Sequence, residues 1–112
     1  MSSARHIAWD HVPVARVAPG IERQVVHGDG LTILRLRLAA GTVLPRHEHP
    51  HEQCTTVLAG RLGMALDGGT PVELEAGETL TIPGGLGHEA TALTEVLALE
   101  VFVPVREDLA AS

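Results

Sequence analysis

The chain of 112 residues has no lysine and no tyrosine, one cysteine, one tryptophan and one phenylalanine, and its serines are confined to Ser2, Ser3 and Ser112. Each absence closes a route to chemistry. Without lysine there is no Schiff-base amine, without tyrosine no phenolic acid, and without an internal serine no Ser-His-Asp triad. Cys54 has no second cysteine to pair with inside the chain, which agrees with a reducing compartment. No apolar run is long enough to span a bilayer, and the opening Met-Ser-Ser-Ala-Arg-His carries no secretory apolar stretch, so a cytoplasmic protein with no membrane partner is expected. The eight arginines are dispersed in a chain of net charge −6, which leaves no basic patch for nucleic acid. Metal, carboxylate, histidine, arginine and one thiol remain.

What is present is strand-like. Twelve Gly and seven Pro cut the chain into short segments rich in Val, Leu, Ile and Thr, none with a sustained helical period. In Leu31 to Leu38 the later residues alternate, Leu34, Leu36 and Leu38 on one face and Arg35 and Arg37 on the other. Further strands are expected over Arg23 to Val26, Thr42 to His47, Cys54 to Ala59, Leu62 to Leu66, Val72 to Leu74, Thr79 to Ile82, Glu89 to Ala92 and Val96 to Val103, with a hairpin turn at Asp67-Gly68-Gly69. The length suits one all-β domain over 1–112, with an N-terminal arm over about 1–20 anchored by Trp9. A short C-terminal turn or tail is expected over about 104–112, in which Arg106 to Ala110 suits a short helix. A closed barrel, or a homodimer covering an edge strand, is the expected way for so small a chain to bury enough surface.

The chemistry gathers in two segments. His47, His49 and His51 crowd into Gly41 to Gln53, and His88 follows the turn-rich Gly77 to Gly87. Residues two apart on a strand share a face, so His47 and His49 are expected to aim inward together while Glu48 points away. Gln53, across the break at Pro50, is placed to return an amide oxygen to the same point, and His88 to complete the set from a neighbouring strand. Three neutral imidazoles and one neutral amide would leave the full charge on one divalent transition metal (Fe, Mn, Ni, Co or Zn), making it a strong Lewis acid. His51 lies off this register, beside Pro50, and is expected at the surface or behind a ligand. Cys54 should face away from Gln53 as a small buried apolar residue.

These segments resemble the two motifs of the cupin superfamily. The first, G-x5-H-x-H-x3-[E/Q]-x6-G, is matched by Gly41, His47, His49, Gln53 and Gly60. The second, G-x5-P-x-G-x2-H-x3-N, is matched by Gly77, Pro83, Gly85 and His88, with Ala92 in place of Asn. The resemblance implies a jelly-roll barrel (double-stranded β-helix) with His47, His49, Gln53 and His88 as metal ligands. The closing Glu100-Val-Phe102-Val-Pro104-Val-Arg106-Glu-Asp108, together with Pro19 to Gln24 and His49 to Gln53, is similar to small single-domain cupins of pectin and alginate breakdown. Those proteins linearise 4,5-unsaturated uronates to 4-deoxy-5-keto acids. By this resemblance Glu100 is the general acid and base, Phe102 lines the metal pocket and Arg106 holds the carboxylate of a small-molecule substrate. Two positions depart from that group: Glu100 stands for its Asp, and Thr56 for its usual Tyr. The motifs alone leave open a cupin dioxygenase or isomerase with the same metal, and a non-enzymatic cupin that binds a metal or small ligand.

Overall fold

Alternating burial, the mark of a strand with one face on a core, runs through most of the chain, and in the computed structural model, which describes residues 3–109, it builds two antiparallel sheets. The strands are β1 (Ala15–Ala18), β2 (Ile21–His27), β3 (Thr32–Leu38), β4 (Val43–His47), β5 (Glu52–Ala59), β6 (Arg61–Leu66), β7 (Val72–Glu75), β8 (Thr79–Ile82), β9 (His88–Ala92) and β10 (Val96–Val103). One sheet has the order β1-β2-β3-β10-β5-β8 and the other β4-β9-β6-β7. The last strand thus lies between β3 and β5, the interleaving of a jelly roll.

All nine expected strands are present, their ends moved by at most two residues. The hairpin between β6 and β7 turns at Gly68, whose φ of 71° only glycine adopts without strain. The tenth strand, β1, was not expected. Ala15-Arg-Val-Ala18 has no apolar alternation and follows Pro13, but as an edge strand it needs only the backbone of β2 to pair with. The short helix expected from Arg106 is also absent. Residues 106–109 close a single turn through Leu109 N–H to the Arg106 carbonyl (3.1 Å), one hydrogen bond being too little to nucleate a helix. Ala110 lies outside the described residues.

The arm ahead of β1 lies against β2. Its one 3-10 turn, Trp9–His11, is fastened by the Gln24 amide, which donates to the carbonyls of Trp9 (2.6 Å) and Val12 (2.8 Å). Trp9 therefore anchors through its backbone, with its ring only half-buried. Among the described residues no helix is long and apolar enough to cross a membrane.

Between the sheets the inner faces change character along the strands. At one end Leu38, Val57, Leu62, Ile82, Val96 and Ala98 are packed together and sealed from solvent, each large side chain contributing about 1.5–3 kcal/mol. At the other end the polar Thr32, Gln53, Thr55, His88 and Glu100 are buried beside a small second apolar cluster of Val25, Leu34 and Phe102. Half of the barrel is a core. The other half is a site.

Candidate metal centre

Register brings the ligands of the two motifs together. His47 at the end of β4 pairs directly with His88 at the start of β9, and their ring centroids stand 4.3 Å apart. His49 joins them at 5.3 Å from His88 and 5.8 Å from His47. Its backbone departs from expectation, because β4 stops at His47 and His49 rides the loop that Pro50 keeps out of the sheet. That loop is fixed from the second motif. Gly85 N–H donates to the His49 carbonyl (2.8 Å), and a Cβ on Gly84 would run into the Pro50 carbonyl oxygen.

One nitrogen or more from each of His47, His49 and His88 lies within 4.8 Å of the others. Two nitrogens across one transition-metal ion stand roughly 4 Å apart, so the spread suits a single ion. The tautomers agree. His47 Nδ1 lies 2.9 Å from the Pro45 carbonyl, His49 Nδ1 3.1 Å from that of His51, and His88 Nδ1 2.9 Å from that of Leu86. A carbonyl only accepts, so each Nδ1 carries the proton and each Nε2 keeps its lone pair. Among the described residues His88 Nε2 is buried without a hydrogen-bond partner.

Gln53 completes the convergence. Its Oε1 lies 3.0 Å from His49 Nε2, while its Nε2 donates to Glu100 Oε2 (2.7 Å) and Thr55 Oγ1 (2.9 Å). With both amide protons given to the far side, the oxygen is the atom turned toward the histidines. A lone pair on Oε1 then faces a lone pair on His49 Nε2, an arrangement that a shared cation relieves. The four expected ligands therefore fit a divalent metal.

Burial favours the neutral form of two of the three imidazoles. It pushes the His49 and His88 imidazoles below the ordinary histidine value, against the partial support that the Gln53 oxygen and the backbone carbonyls give the protonated rings. Burial likewise pushes the Glu100 carboxyl up, opposed by Thr55, whose hydroxyl donates to Oε2 (2.8 Å), and by the charges of His47 and Arg106. Strand pairing explains the contact, since Gln53 faces Phe102 and Thr55 faces Glu100 across β5 and β10.

Phe102 sets its ring 5.5 Å from that of His49, and the Arg106 guanidinium lies over the Phe102 ring at 4.8 Å from its centre. Arg106 is held by Thr32, whose hydroxyl accepts its backbone N–H (2.9 Å), and its fork lies on Asp108 at 2.9 and 2.7 Å. That hydrogen bond holds the Asp108 carboxyl down at about 2. Glu100, Phe102 and Arg106 are thus brought to the histidines, with the Arg106 fork already engaged.

The ring of His51 lies 5.6 Å from that of His49, but its nitrogens do not join the converging set, and Cys54 sits half-buried on the opposite face from Gln53. Sequence reasoning passed over Thr55, although its spacing of two from Gln53 on a strand signals a shared face. It also passed over Arg23. A cavity of about 390 Å³ opens beside the cluster, bounded by Ile21, Arg23, Leu44, His47, Phe102 and Arg106. A larger hollow of about 830 Å³ lies under the N-terminal segment by Ser3, Ile7 and Ile33, but none of the cluster's residues lines it.

Known proteins agree with this architecture. Residues 34–104 match the family described as Cupin domain. KdgF from Halomonas sp. superposes with a TM-score of 0.84 at 29% identity, over 90% of this chain and 95% of its own. An RmlC-like cupin from Shewanella frigidimarina gives 0.87 at 24% identity, over 98% and 100% of the two chains. A Bacillus subtilis oxalate decarboxylase, a protein described with Mn(II) centres, gives 0.80 at 18% identity, over 93% of this chain and 31% of its own. No curated protein sequence matches the chain. The match covers well over half of the residues and includes every candidate ligand, and the chain belongs to the cupin family.

Proposed function

We propose that this cupin is a metal-dependent enzyme that linearises 4,5-unsaturated uronates to 4-deoxy-5-keto uronates. The observation that carries the reading is the pairing of a neutral four-ligand cluster with a buried carboxyl, Glu100, joined to it through the Gln53 amide. The likeness to KdgF over nearly the whole chain supports it. His47, His49, Gln53 and His88 would hold the ion, and when bound the ion supplies Lewis-acid polarisation of substrate oxygen.

The remaining steps belong to the chain's own residues. Glu100, whose burial favours the acid form, delivers its proton to C4 of the enol ether, and the ionised carboxylate then takes a proton from the water that adds at C5. The resulting hemiketal opens to the 5-ketone, and Glu100 is left protonated as it began. Thr55 and Gln53 hold the carboxyl in place by donating to the same oxygen. Phe102 walls the pocket, and Arg106, seated over it, contributes positive charge toward the substrate carboxylate.

The test is loss of ultraviolet absorbance from 4,5-unsaturated galacturonate, run without oxygen, with and without a chelator. The reading expects turnover that the chelator stops. No chelator-sensitive loss would remove it, and oxygen consumption by the ferrous protein in its place would move the assignment to a dioxygenase. A homodimer belongs to the same proposal, since the outer face of β10 leaves Leu97, Leu99 and Val101 half-buried and Val103 48% exposed. Light scattering that returned the mass of one chain would remove that part.

A further inference from the structure

Seven of the eight arginines have a partner. Arg16, Arg35, Arg37, Arg46, Arg61 and Arg106 each meet a carboxylate, and Arg5 donates to the His27 carbonyl. Among the described residues Arg23 meets no carboxylate, and its Nε is buried there with no hydrogen-bond partner. The exception is placed by register. Arg23 alternates with Ile21 and Val25 on β2 and lies opposite Leu36 of β3, which puts it on the inward face of the large sheet.

An inward guanidinium without a counter-charge is costly to fold around, in a chain that has acidic groups to spare. Its neighbours explain where the missing partner belongs. Arg23 and His47 bound the same 390 Å³ cavity from opposite sheets, and apolar Ile21, Leu34 and Leu44 line it with them. Arg106 bounds it as well, but Asp108 occupies both arms of its fork. Arg46, the third arginine of the cavity, is paired with Asp67, so two of its three guanidinium groups are neutralised from within the chain and that of Arg23 is not.

We infer that Arg23 is the anion-recognition residue of the cavity, taking the carboxylate of a small organic acid whose other oxygens face the histidine cluster. The inference rests on the proposed uronate reading for the identity of that acid, and on the cavity alone for its charge. A planar fork accepts two carboxylate oxygens side by side, so the ligand is fixed in orientation as well as held. Specificity for acidic over neutral sugars then resides on β2, a strand outside both cupin motifs.

The test is calorimetric titration of the metal-loaded protein with D-galacturonate, which carries the carboxylate but no 4,5 double bond, and with neutral D-galactose. The wild type should prefer galacturonate. Arg23→Gln should weaken galacturonate binding roughly 10- to 100-fold and leave galactose unchanged, while Arg23→Lys should recover part of the loss. Because the variant removes an unpaired inward charge, its melting temperature should equal or exceed that of the wild type, whereas a structural arginine would lower it. No galacturonate preference in the wild type, or an undiminished preference in Arg23→Gln, overturns the inference. The two readings fail separately. An Arg23-dependent preference without turnover of unsaturated galacturonate keeps the anion site and discards the uronate reaction. Turnover with an unchanged KM in Arg23→Gln keeps the reaction and discards the anion site.

Discussion

The two ends of the barrel are made from the same strands and do opposite work. On β10 the inward residues run Val96, Ala98, Glu100, Phe102, and on β5, in the antiparallel sense, Val57, Thr55, Gln53. Within two residues each strand passes from sealed hydrocarbon to hydrogen-bonded polar groups. The apolar end gains its stability from area and close packing. The polar end gives stability up, burying a carboxyl, an amide and the His88 imidazole beside a half-buried His49 and an exposed His47. The contrast teaches that the fold can carry a neutral, ion-ready cluster because the other half of the barrel holds the sheets together.

Substitutions at the two ends should therefore separate. Leu62→Ala, at a position 2% exposed in the core, should cost about 3 kcal/mol by urea denaturation and leave metal affinity unchanged. Affinity falling in step with stability would show that the ends are one unit. Glu100→Gln should act in the opposite sense, raising the stability of the metal-free protein at neutral pH by about 1 kcal/mol while abolishing turnover, since a neutral amide is easier to bury than an ionised carboxylate. A loss of stability would mean that the carboxylate is fully compensated by Gln53 and Thr55.

The smallest effect is in pH. His49 and His88 are held below their ordinary value of 6.5, so the unfolded chain takes up protons from about that pH downward while the folded chain resists them. Their contribution to metal-free stability is present above 6.5 and is lost progressively as pH falls below it. Glu100, pushed above 4.5, has the opposite sign, its contribution weakening as pH rises past that value, so the histidine slope is cleanest in Glu100→Gln. Asp108, down at about 2, leaves this window untouched. Urea midpoints measured from pH 7.5 to pH 5 should fall. A flat profile in Glu100→Gln would contradict the burial assigned to the two imidazoles.

Much of this was legible in the sequence because it is periodic or motif-bound. Alternation in Leu34, Leu36 and Leu38 marked β3, and the spacing of His47, His49, Gln53 and His88 marked the centre before any fold was known. What escaped depends on neighbours the chain order does not show. β1 is a strand because β2 lies beside it, and His49 converges although it sits in a loop, because Gly84 and Gly85 of the second motif hold that loop. Thr55 matters through Glu100, 45 residues away, and Asp108 through the fork of Arg106. Arg23 looked like one of eight dispersed cations until the partners of the other seven were in place.

The convergence of four neutral donors on one ion is most directly tested by X-ray absorption of the cobalt-loaded protein, read together with metal stoichiometry. The account predicts one ion per chain with three imidazole nitrogens in its first shell, falling to two in His88→Ala. Fewer than three imidazoles in the wild type, or a spectrum unchanged in His88→Ala, would contradict it.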